Sequence, residues 1–315
     1  MSESALHLSQ LPARRFGRLG WMIRPIGLGG AWLQGRSGEP VDPDKAAQLV
    51  VDAVDLGIDY IDTSIRYGNS ELYIGAALRQ IPRAQWPRIA TKSQVIPADQ
   101  PTADGVYQSV LNSLERLGME RIDLMQIHEV ECYGFDRIMG PGGALEGLRR
   151  AQSEGLCEGI GVTGRPTDLL AQLIDTGEFD ATLSYFEYDL ATSAATRDLL
   201  PACERHDAGF VAGSPARMGM FAGAGLLTHW DRQPEDIRRM RPELERIFGR
   251  PVSEMADLSV RFLYSDPRVH NINIGSSRLT SLISSIEAAL AGPLPAEQLA
   301  EVRELHGWQA PAAGG

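Results

Sequence analysis

RIATKSQVIPADQPTADGVYQSVLNSLERLGMERIDLMQIH, residues 88–128, is the stretch on which the fold turns. It opens on a short strand-like run, RIATK (88–92). A helix then starts at Thr102, with Val106, Val110, Leu114 and Leu117 at helical spacing and Gly118 closing it. A second strand-like run, IDLMQIH (122–128), follows at once. Strand, helix and strand in this order form one unit of a parallel sheet.

The same grammar extends in both directions. Upstream, PIGLGGA (25–31) leads to a helix that Asp42 can cap and Pro43 can open, with Ala46, Leu49, Val50, Ala53 and Leu56 recurring before Gly57 stops it. YID (60–62) precedes a helix from Ser70. Downstream come a helix around 143–154, GIGVT (159–163) with a helix from Thr167 to Ile174, and then ATLSY (181–185), GFVAG (209–213) and NINIG (271–275), each followed by a helical segment. Eight strands alternating with helices predict an α/β fold, a (β/α)8 TIM barrel, because parallel crossovers need about a dozen residues and bury each strand on both faces. RRFGRLGWMI (14–23) reads as an N-terminal β-hairpin, and an extra helix is expected at the C-terminus. An open doubly wound sheet is the alternative, but IGLGGAWLQG (26–35) lacks the G-x-G-x-x-G of a dinucleotide-binding turn. The 315 residues fit one barrel domain over 1–315, with its core at about 14–306. The charge-mixed stretch 221–250 is expected to form a loop with its own helix over one barrel face, and the tail after Trp308 to fray.

Composition narrows the partners. Apolar residues make up 43% of the chain, and 30 Lys+Arg against 41 Asp+Glu give a net charge of −11, which repels phosphate backbones and anionic membranes. Neither nucleic acid nor membrane is expected as a partner. No stretch approaches eighteen apolar residues, and MSESALHLSQLPARR has no basic segment leading into an apolar run, so a cytoplasmic location is expected. Cys132, Cys157 and Cys203 are too few and too scattered for a disulfide framework or a metal site, and read as reduced structural residues.

Chemistry in such barrels sits at the C-terminal ends of the strands. Asp62 ends the second strand, Tyr67 follows five residues later, Lys92 ends the third and His128 the fourth. A charged Lys beside a Tyr favours phenolate and lowers the Tyr pKa, and a carboxylate holds that Lys charged and oriented. His128 can hydrogen-bond a substrate oxygen. Each residue alone also fits a structural role; their position at successive strand ends argues for a proton donor and acceptor poised near neutrality. A Schiff-base aldolase with Lys92 as nucleophile also fits a strand-end Lys, and a non-catalytic binding subunit of the same fold is a further reading.

These segments resemble the aldo-keto reductases over roughly residues 14–292. DTSIRYGNSELYIG (62–75), SLERLGMERIDLMQIH (113–128) and GSPARMG (213–219) match family segments in order and spacing. The resemblance implies catalytic roles for Asp62, Tyr67, Lys92 and His128. GIGVTGRPTDLL (159–170), LSYFEYDL (183–190) and the acidic residue after His128 look like the branch of L-galactose dehydrogenases and aldose 1-dehydrogenases. That implies an NAD(P)-dependent oxidoreductase, an aldose 1-dehydrogenase oxidising the anomeric carbon of a cyclic sugar (L-galactose, L-fucose or similar) to a lactone. The alternative is an NADPH-dependent aldehyde or ketone reductase.

By the same resemblance the cofactor is held by Gly30, Thr163, Ser184, Ser214, Arg217, Gly275, Ser276 and Arg278. Thr163, Gly164 and Ser184 stand where most relatives hold the nicotinamide amide, and Gly213 replaces the usual stacking aromatic. Relatives that use the 2′-phosphorylated cofactor commonly carry a basic residue where this chain has Ser281, and a Glu-Asn pair where it has Ser284 and Ser285. NAD is therefore favoured and NADP remains open. Trp32, Arg66, Glu129, Tyr133, Phe186 and Tyr188 are expected to line the substrate pocket, an aromatic wall with polar groups that suits a sugar. The partners expected are a small sugar or carbonyl substrate and, at most, copies of the same chain in a small homo-oligomer.

Overall fold

In the computed structural model, which describes residues 6–35, 41–93, 102–223 and 233–307, the strand–helix alternation closes on itself. The barrel strands are β3 (Ile26–Gly29), β4 (Tyr60–Asp62), β5 (Arg88–Lys92), β6 (Ile122–Ile127), β7 (Cys157–Gly164), β8 (Ala181–Tyr185), β9 (Gly209–Gly213) and β10 (Asn271–Gly275). All neighbours pair in parallel, and β10 returns to β3 through Ile272↔Ile26 and Gly275↔Gly29. The (β/α)8 barrel expected from the sequence is the fold.

Helices form where capping and spacing place them. Asp42 accepts from the amides of Asp44 and Lys45 to start α1 (Pro43–Asp55), and Thr102 accepts from Gly105 to start α3 (Ala103–Leu117). Gly118 closes α3 at φ +66, in the left-handed region that favours glycine. Between them lies α2 (Ser70–Leu78). The remaining helices are α4 (Phe135–Met139), α5 (Ala144–Ser153), α6 (Thr167–Asp175), α7 (Leu199–His206), α8 (Glu235–Phe248), α9 (Ala256–Tyr264), α10 (Leu279–Leu290) and the extra C-terminal α11 (Ala296–Leu305).

The barrel wall separates two cores. Outward-facing strand residues such as Ile61, Ile89, Met125, Ile160 and Ile272 pack against the helices. Inside, Tyr60, Ala90, Leu124, Ala181, Leu183 and Val211 pack on Phe16, Trp21 and Ile23 of the hairpin formed by β1 (Arg14–Phe16) and β2 (Trp21–Ile23). Phe16 and Trp21 stack at 5.7 Å, and a Cβ at Gly209 would lie 2.5 Å from the Phe16 ring. The hairpin therefore plugs the N-terminal end of the barrel and leaves polar chemistry to the other end.

The 221–250 stretch contains the expected helix, α8, which packs against α11, with Arg246 on Glu301 at 3.0 Å. Its residues Ile237, Met240 and Leu244 are buried. Residues 224–232 of that stretch and the tail after Trp308 lie outside the described residues. Cys132, Cys157 and Cys203 are free. Among the described residues no helix is long and apolar enough to cross a membrane.

Candidate active site

Alternation along each strand decides which side chains enter the barrel. On β4 it sends Tyr60 and Asp62 inward, on β5 Ala90 and Lys92, and on β6 Leu124, Gln126 and then His128, so apolar residues fill the lower layer and polar ones the mouth. Lys92, 1% exposed, donates to Asp62 Oδ1 and to the Thr63 carbonyl at 2.7 Å. Gln126 Nε2 donates to the other Asp62 oxygen at 2.9 Å. Tyr67 reaches the same ammonium from the loop after β4: its hydroxyl is hydrogen-bonded to Lys92, whose nitrogen lies 4.9 Å from the ring centre. His128 meets the Tyr67 ring edge-on at 5.6 Å, and Ser64 Oγ lies 3.1 Å from its Nδ1. The four residues expected from the strand ends thus form one cluster.

Burial sets the protonation of this cluster. It pushes the Asp62 carboxyl up, against the pull of Lys92 and Gln126. Burial also works against the charge on Lys92, but Asp62 and Tyr67 outweigh it and hold the ammonium above its ordinary pKa. For Tyr67 the expected direction is corrected: burial raises the phenol, and Lys92 only partly pulls it back. His128 is pushed down to about 2 by burial and by the positive charges of Lys92 and Arg66, so it is neutral at any ordinary pH. A Ser64 hydroxyl that donates to Nδ1 leaves the Nε2–H of His128 free to donate to an oxygen at the mouth. The arrangement can hold an oxygen between a phenol and a neutral imidazole and exchange a proton with it.

Around this cluster the rim is strained. Glu129, Phe186, Ser214, Arg217 and Met218 all have positive φ, between +47 and +65, on the loops after β6, β8 and β9. Such backbone persists only where its surroundings hold it. At Glu129 the hold is visible: its amide donates to Thr163 Oγ1, which itself donates to the Ile127 carbonyl, both at 3.3 Å. Thr163 is therefore a brace for this loop. Glu129 also pairs with Arg66 at 3.3 Å, and both side chains are about a third exposed at the mouth. Tyr133 is half-buried nearby, and burial raises its phenol. Phe186 meets Tyr185 edge-on at 5.3 Å.

Three sequence expectations are redirected by the structure. Tyr188 is 6% exposed and donates to Asp266 at 2.7 Å while packing on Phe262 of α9, so it belongs to the outer core and not to the substrate pocket. Arg217, 4% exposed, is committed to the Phe186 carbonyl at 3.1 Å and to Asp189 at 3.4 Å, which makes it a clamp between two loops and not a free cation for a pyrophosphate. Ser184 is displaced by one residue of register. Ala181, Leu183 and Tyr185 share the inner face of β8, so Ser184 faces the helices, and its buried hydroxyl has no partner among the described residues. Tyr185 takes its place in the mouth, beside Gly213, where a Cβ would sit 3.1 Å from Tyr185 Cβ. Burial raises the Tyr185 phenol, and the carboxylates of Glu131 and Glu129 add to that.

Ser64, Gln126, Glu131 and Tyr185 were not singled out from sequence. For Gln126 the signal was present, since it stands two residues before His128 and so shares its face. Glu131 lies across Gly164, where any side chain would collide with its carboxylate.

At the end of β10 the residues fit a dinucleotide. Gly275 is exposed, and a Cβ there would come within 2.8 Å of the Trp32 ring, so Trp32 lies over this strand end. Ser276 folds its hydroxyl onto Arg278, bonding both the amide and the carbonyl at 3.0 Å. Among the described residues no side chain caps the N-terminus of α10; the Ser281 amide turns back to the Arg278 carbonyl at 3.2 Å, the other first-turn amides can receive a phosphate, and Arg278 is exposed beside them. Ser214 stands at the exit of β9 with φ +55. Gly30 packs tightly: a Cβ there would lie 2.6 Å from Ser70 Oγ, which is itself bonded to Thr63 Oγ1 at 2.8 Å.

Known proteins resemble this chain in sequence or in fold. L-galactose dehydrogenase of Arabidopsis thaliana is 27% identical over 296 residues, 89% of either chain. D-threo-aldose 1-dehydrogenase of a Pseudomonas species is 25% identical and covers 90% of this chain and 94% of its own. The fold is shared with an aldo-keto reductase of Bacillus halodurans solved in its holo form, with a TM-score of 0.74 at 21% identity over 96% of this chain and 97% of that one. Residues 25–306 match the Aldo/keto reductase family, and the chain belongs to that family of NAD(P)-dependent oxidoreductases.

Proposed function

We propose that this protein is an aldose 1-dehydrogenase that oxidises the anomeric carbon of a cyclic sugar to a lactone, with NAD preferred over NADP. The observation that carries the reading is the pairing of a Lys92-bound Tyr67 with a neutral His128, under a rim where Glu129, Glu131, Arg66 and Tyr185 offer hydrogen bonds beside the aromatic face of Phe186. A polyhydroxylated ring needs both kinds of contact. Two relatives named for aldose oxidation support the same reading.

His128 Nε2–H donates to the anomeric oxygen and fixes its orientation. Tyr67, as phenolate, takes the proton of that hydroxyl while the C1–H bond breaks and the ring carbon becomes a carbonyl. Lys92 stabilises the phenolate, and Asp62 keeps Lys92 charged and aimed. A bound nicotinamide supplies the acceptor for the hydride that leaves C1. Gly275, Ser276, Arg278 and the first turn of α10 would hold its adenosine end, Ser214 and Trp32 its middle, and Tyr185 with Glu131 its amide end. Arg66 and Glu129 present their charges to the sugar hydroxyls.

The test offers a reactive aldose and its 1-O-methyl glycoside with NAD, following product by NMR at early times. A lactone from the free sugar and no turnover of the glycoside is the expected result. Oxidation of the glycoside, or a keto sugar with C1 unchanged, would overturn the anomeric mechanism.

A further inference from the structure

Behind the catalytic cluster, on the helix side of β5, sits a carboxylate that none of the chemistry above uses. Glu71, in the first turn of α2, is fully buried. Its Oε1 accepts from the Thr91 hydroxyl at 2.7 Å and its Oε2 from Arg116 Nε, on α3, at 2.9 Å. Arg116 also donates from its second terminal nitrogen to the carbonyl of Gly68. Thr91 is the residue before Lys92, and Gly68 the residue after Tyr67. Two side chains therefore join the strand that carries the ammonium to the loop that carries the phenol.

That loop needs such a tie. Tyr67 is not on a strand; its amide closes a turn onto Ser64 at 2.9 Å and its carbonyl receives Ser70, the first residue of α2, at 3.0 Å, both contacts local in sequence. Gly68 turns at φ +56, and a side chain there would collide with Gln34. We infer that Glu71 and Arg116 are positioning residues for catalysis, setting the separation between Lys92 and the Tyr67 oxygen by clamping Thr91 and Gly68 to one buried carboxylate. This rests on the proton-transfer roles given above to Tyr67 and Lys92.

A clamp of this kind has a signature that a merely structural ion pair lacks. Tyr67 is faced by Lys92, Asp62, Glu129, Tyr185 and the neutral His128, and among these it is Lys92 that draws its pKa down. Loosening the loop weakens that pull, so the phenol titrates at higher pH. In the oxidative direction, where phenolate is the active form, the rising limb of kcat against pH moves to more alkaline values.

Arg116→Met removes both donors without a new charge. Expected are a fall in kcat of about ten- to hundred-fold, the loss a displaced reacting group produces, a rising limb shifted up by about half a pH unit or more, and KM for sugar and cofactor within about twofold of the parent, since neither residue reaches the mouth. Wild-type kcat with an unmoved limb in the folded variant would overturn the inference, as would lost thermal stability with an unchanged pH profile. Should Arg116→Met not fold, Arg116→Lys keeps the charge pair with Glu71 but cannot also serve Gly68; it should show the same shift of the limb, and an unshifted limb there would equally overturn the inference. Tyr67→Phe, measured alongside, separates the two levels. An active Tyr67→Phe removes the proton-transfer reading itself, whereas an inactive Tyr67→Phe beside a wild-type-like Arg116→Met removes only the clamp.

Discussion

Lys92→Met is the perturbation for which the structure dictates most. The ammonium is 1% exposed and serves Asp62, the Thr63 carbonyl and the Tyr67 hydroxyl together. Methionine fills the same volume but leaves the Asp62 carboxylate, 2% exposed, with Gln126 as its one remaining side-chain donor among the described residues. Removing one partner of a buried pair costs about 3–5 kcal/mol because the other charge stays uncompensated. Burial already pushes the Asp62 carboxyl up and Lys92 is the largest opposing influence, so its folded pKa rises further in the variant. A carboxyl with a raised folded pKa supports the fold below its unfolded pKa and loses that support as pH rises through the folded value. The deficit of Lys92→Met should therefore be small near pH 4 and grow towards pH 8.

Asp62→Asn on top of Lys92→Met removes the orphaned charge and keeps an oxygen for Gln126. Replacing a whole buried pair by neutral groups is often close to neutral, so the double variant should return to within about 1–2 kcal/mol of the parent. Activity should not return: without the ammonium the Tyr67 phenolate is unsupported, and both variants should lose about 10²- to 10⁴-fold in turnover. Urea unfolding followed by tryptophan fluorescence at pH 5 and pH 8, with sugar oxidation assayed on the same samples, reads both quantities. A Lys92→Met protein as stable as the parent at pH 8, or a double variant that regains turnover with its stability, would refute the reasoning.

Other consequences can be checked separately. A charge-assisted contact to a 2′-phosphate is worth about 1.5–3 kcal/mol, roughly ten- to hundred-fold, and Ser281, Ser284 and Ser285 leave exposed Arg278 as the cation at this helix start; NAD should give the higher kcat/KM, and a tenfold preference for NADP would reverse the assignment and make Arg278→Ala the next variant. Gly30→Ala should cost about 1–3 kcal/mol in urea unfolding, because its Cβ meets the buried Ser70 and Thr63 hydroxyls, whereas Gly164→Ala has its closest contact with the exposed Glu131 carboxylate, which can swing away, and a looser one with Val130 Cγ2 at 3.1 Å, and should cost less than Gly30→Ala; equal costs would contradict this packing. His306, held neutral with its pKa pushed down to about 4 by burial, donates to the Leu190 carbonyl at 3.0 Å. Its unfolded form takes up a proton below about pH 6.5 while the folded form does not, so stability falls with pH from there towards 4, and His306→Gln should remove about 1.4 kcal/mol per pH unit of that slope; an unchanged slope would show that His306 is not buried as a neutral ring.

What the sequence exposed and what it hid have physical reasons that can be assigned residue by residue. The barrel was legible because its signal is repeated eight times and its helix caps, Asp42 and Thr102, are local. Asp62, Lys92 and His128 were legible as the polar ends of apolar strands. Tyr185 was not: ATLSY alternates apolar and polar residues, but in a barrel strand covered on both faces alternation alone does not say which set points inward, and either Ser184 or Tyr185 could face the mouth until the pairing with β7 and β9 fixed the register. Arg217 and Tyr188 were misplaced for a different reason: their loops turn through left-handed residues that are not glycine, Phe186, Arg217 and Met218, and a sequence gives no mark of such turns. The direction of the Tyr67 shift was hidden as well, since the neighbouring Lys92 is written in the sequence but the depth of burial is not. These hidden features share one location, the rim above the strands, where backbone strain and buried polar groups are concentrated. Local rules fail there because the rim is held by contacts distant in sequence, Glu129 by Thr163 of the barrel wall and Phe186 by Arg217 of the neighbouring loop, and not by its own propensities.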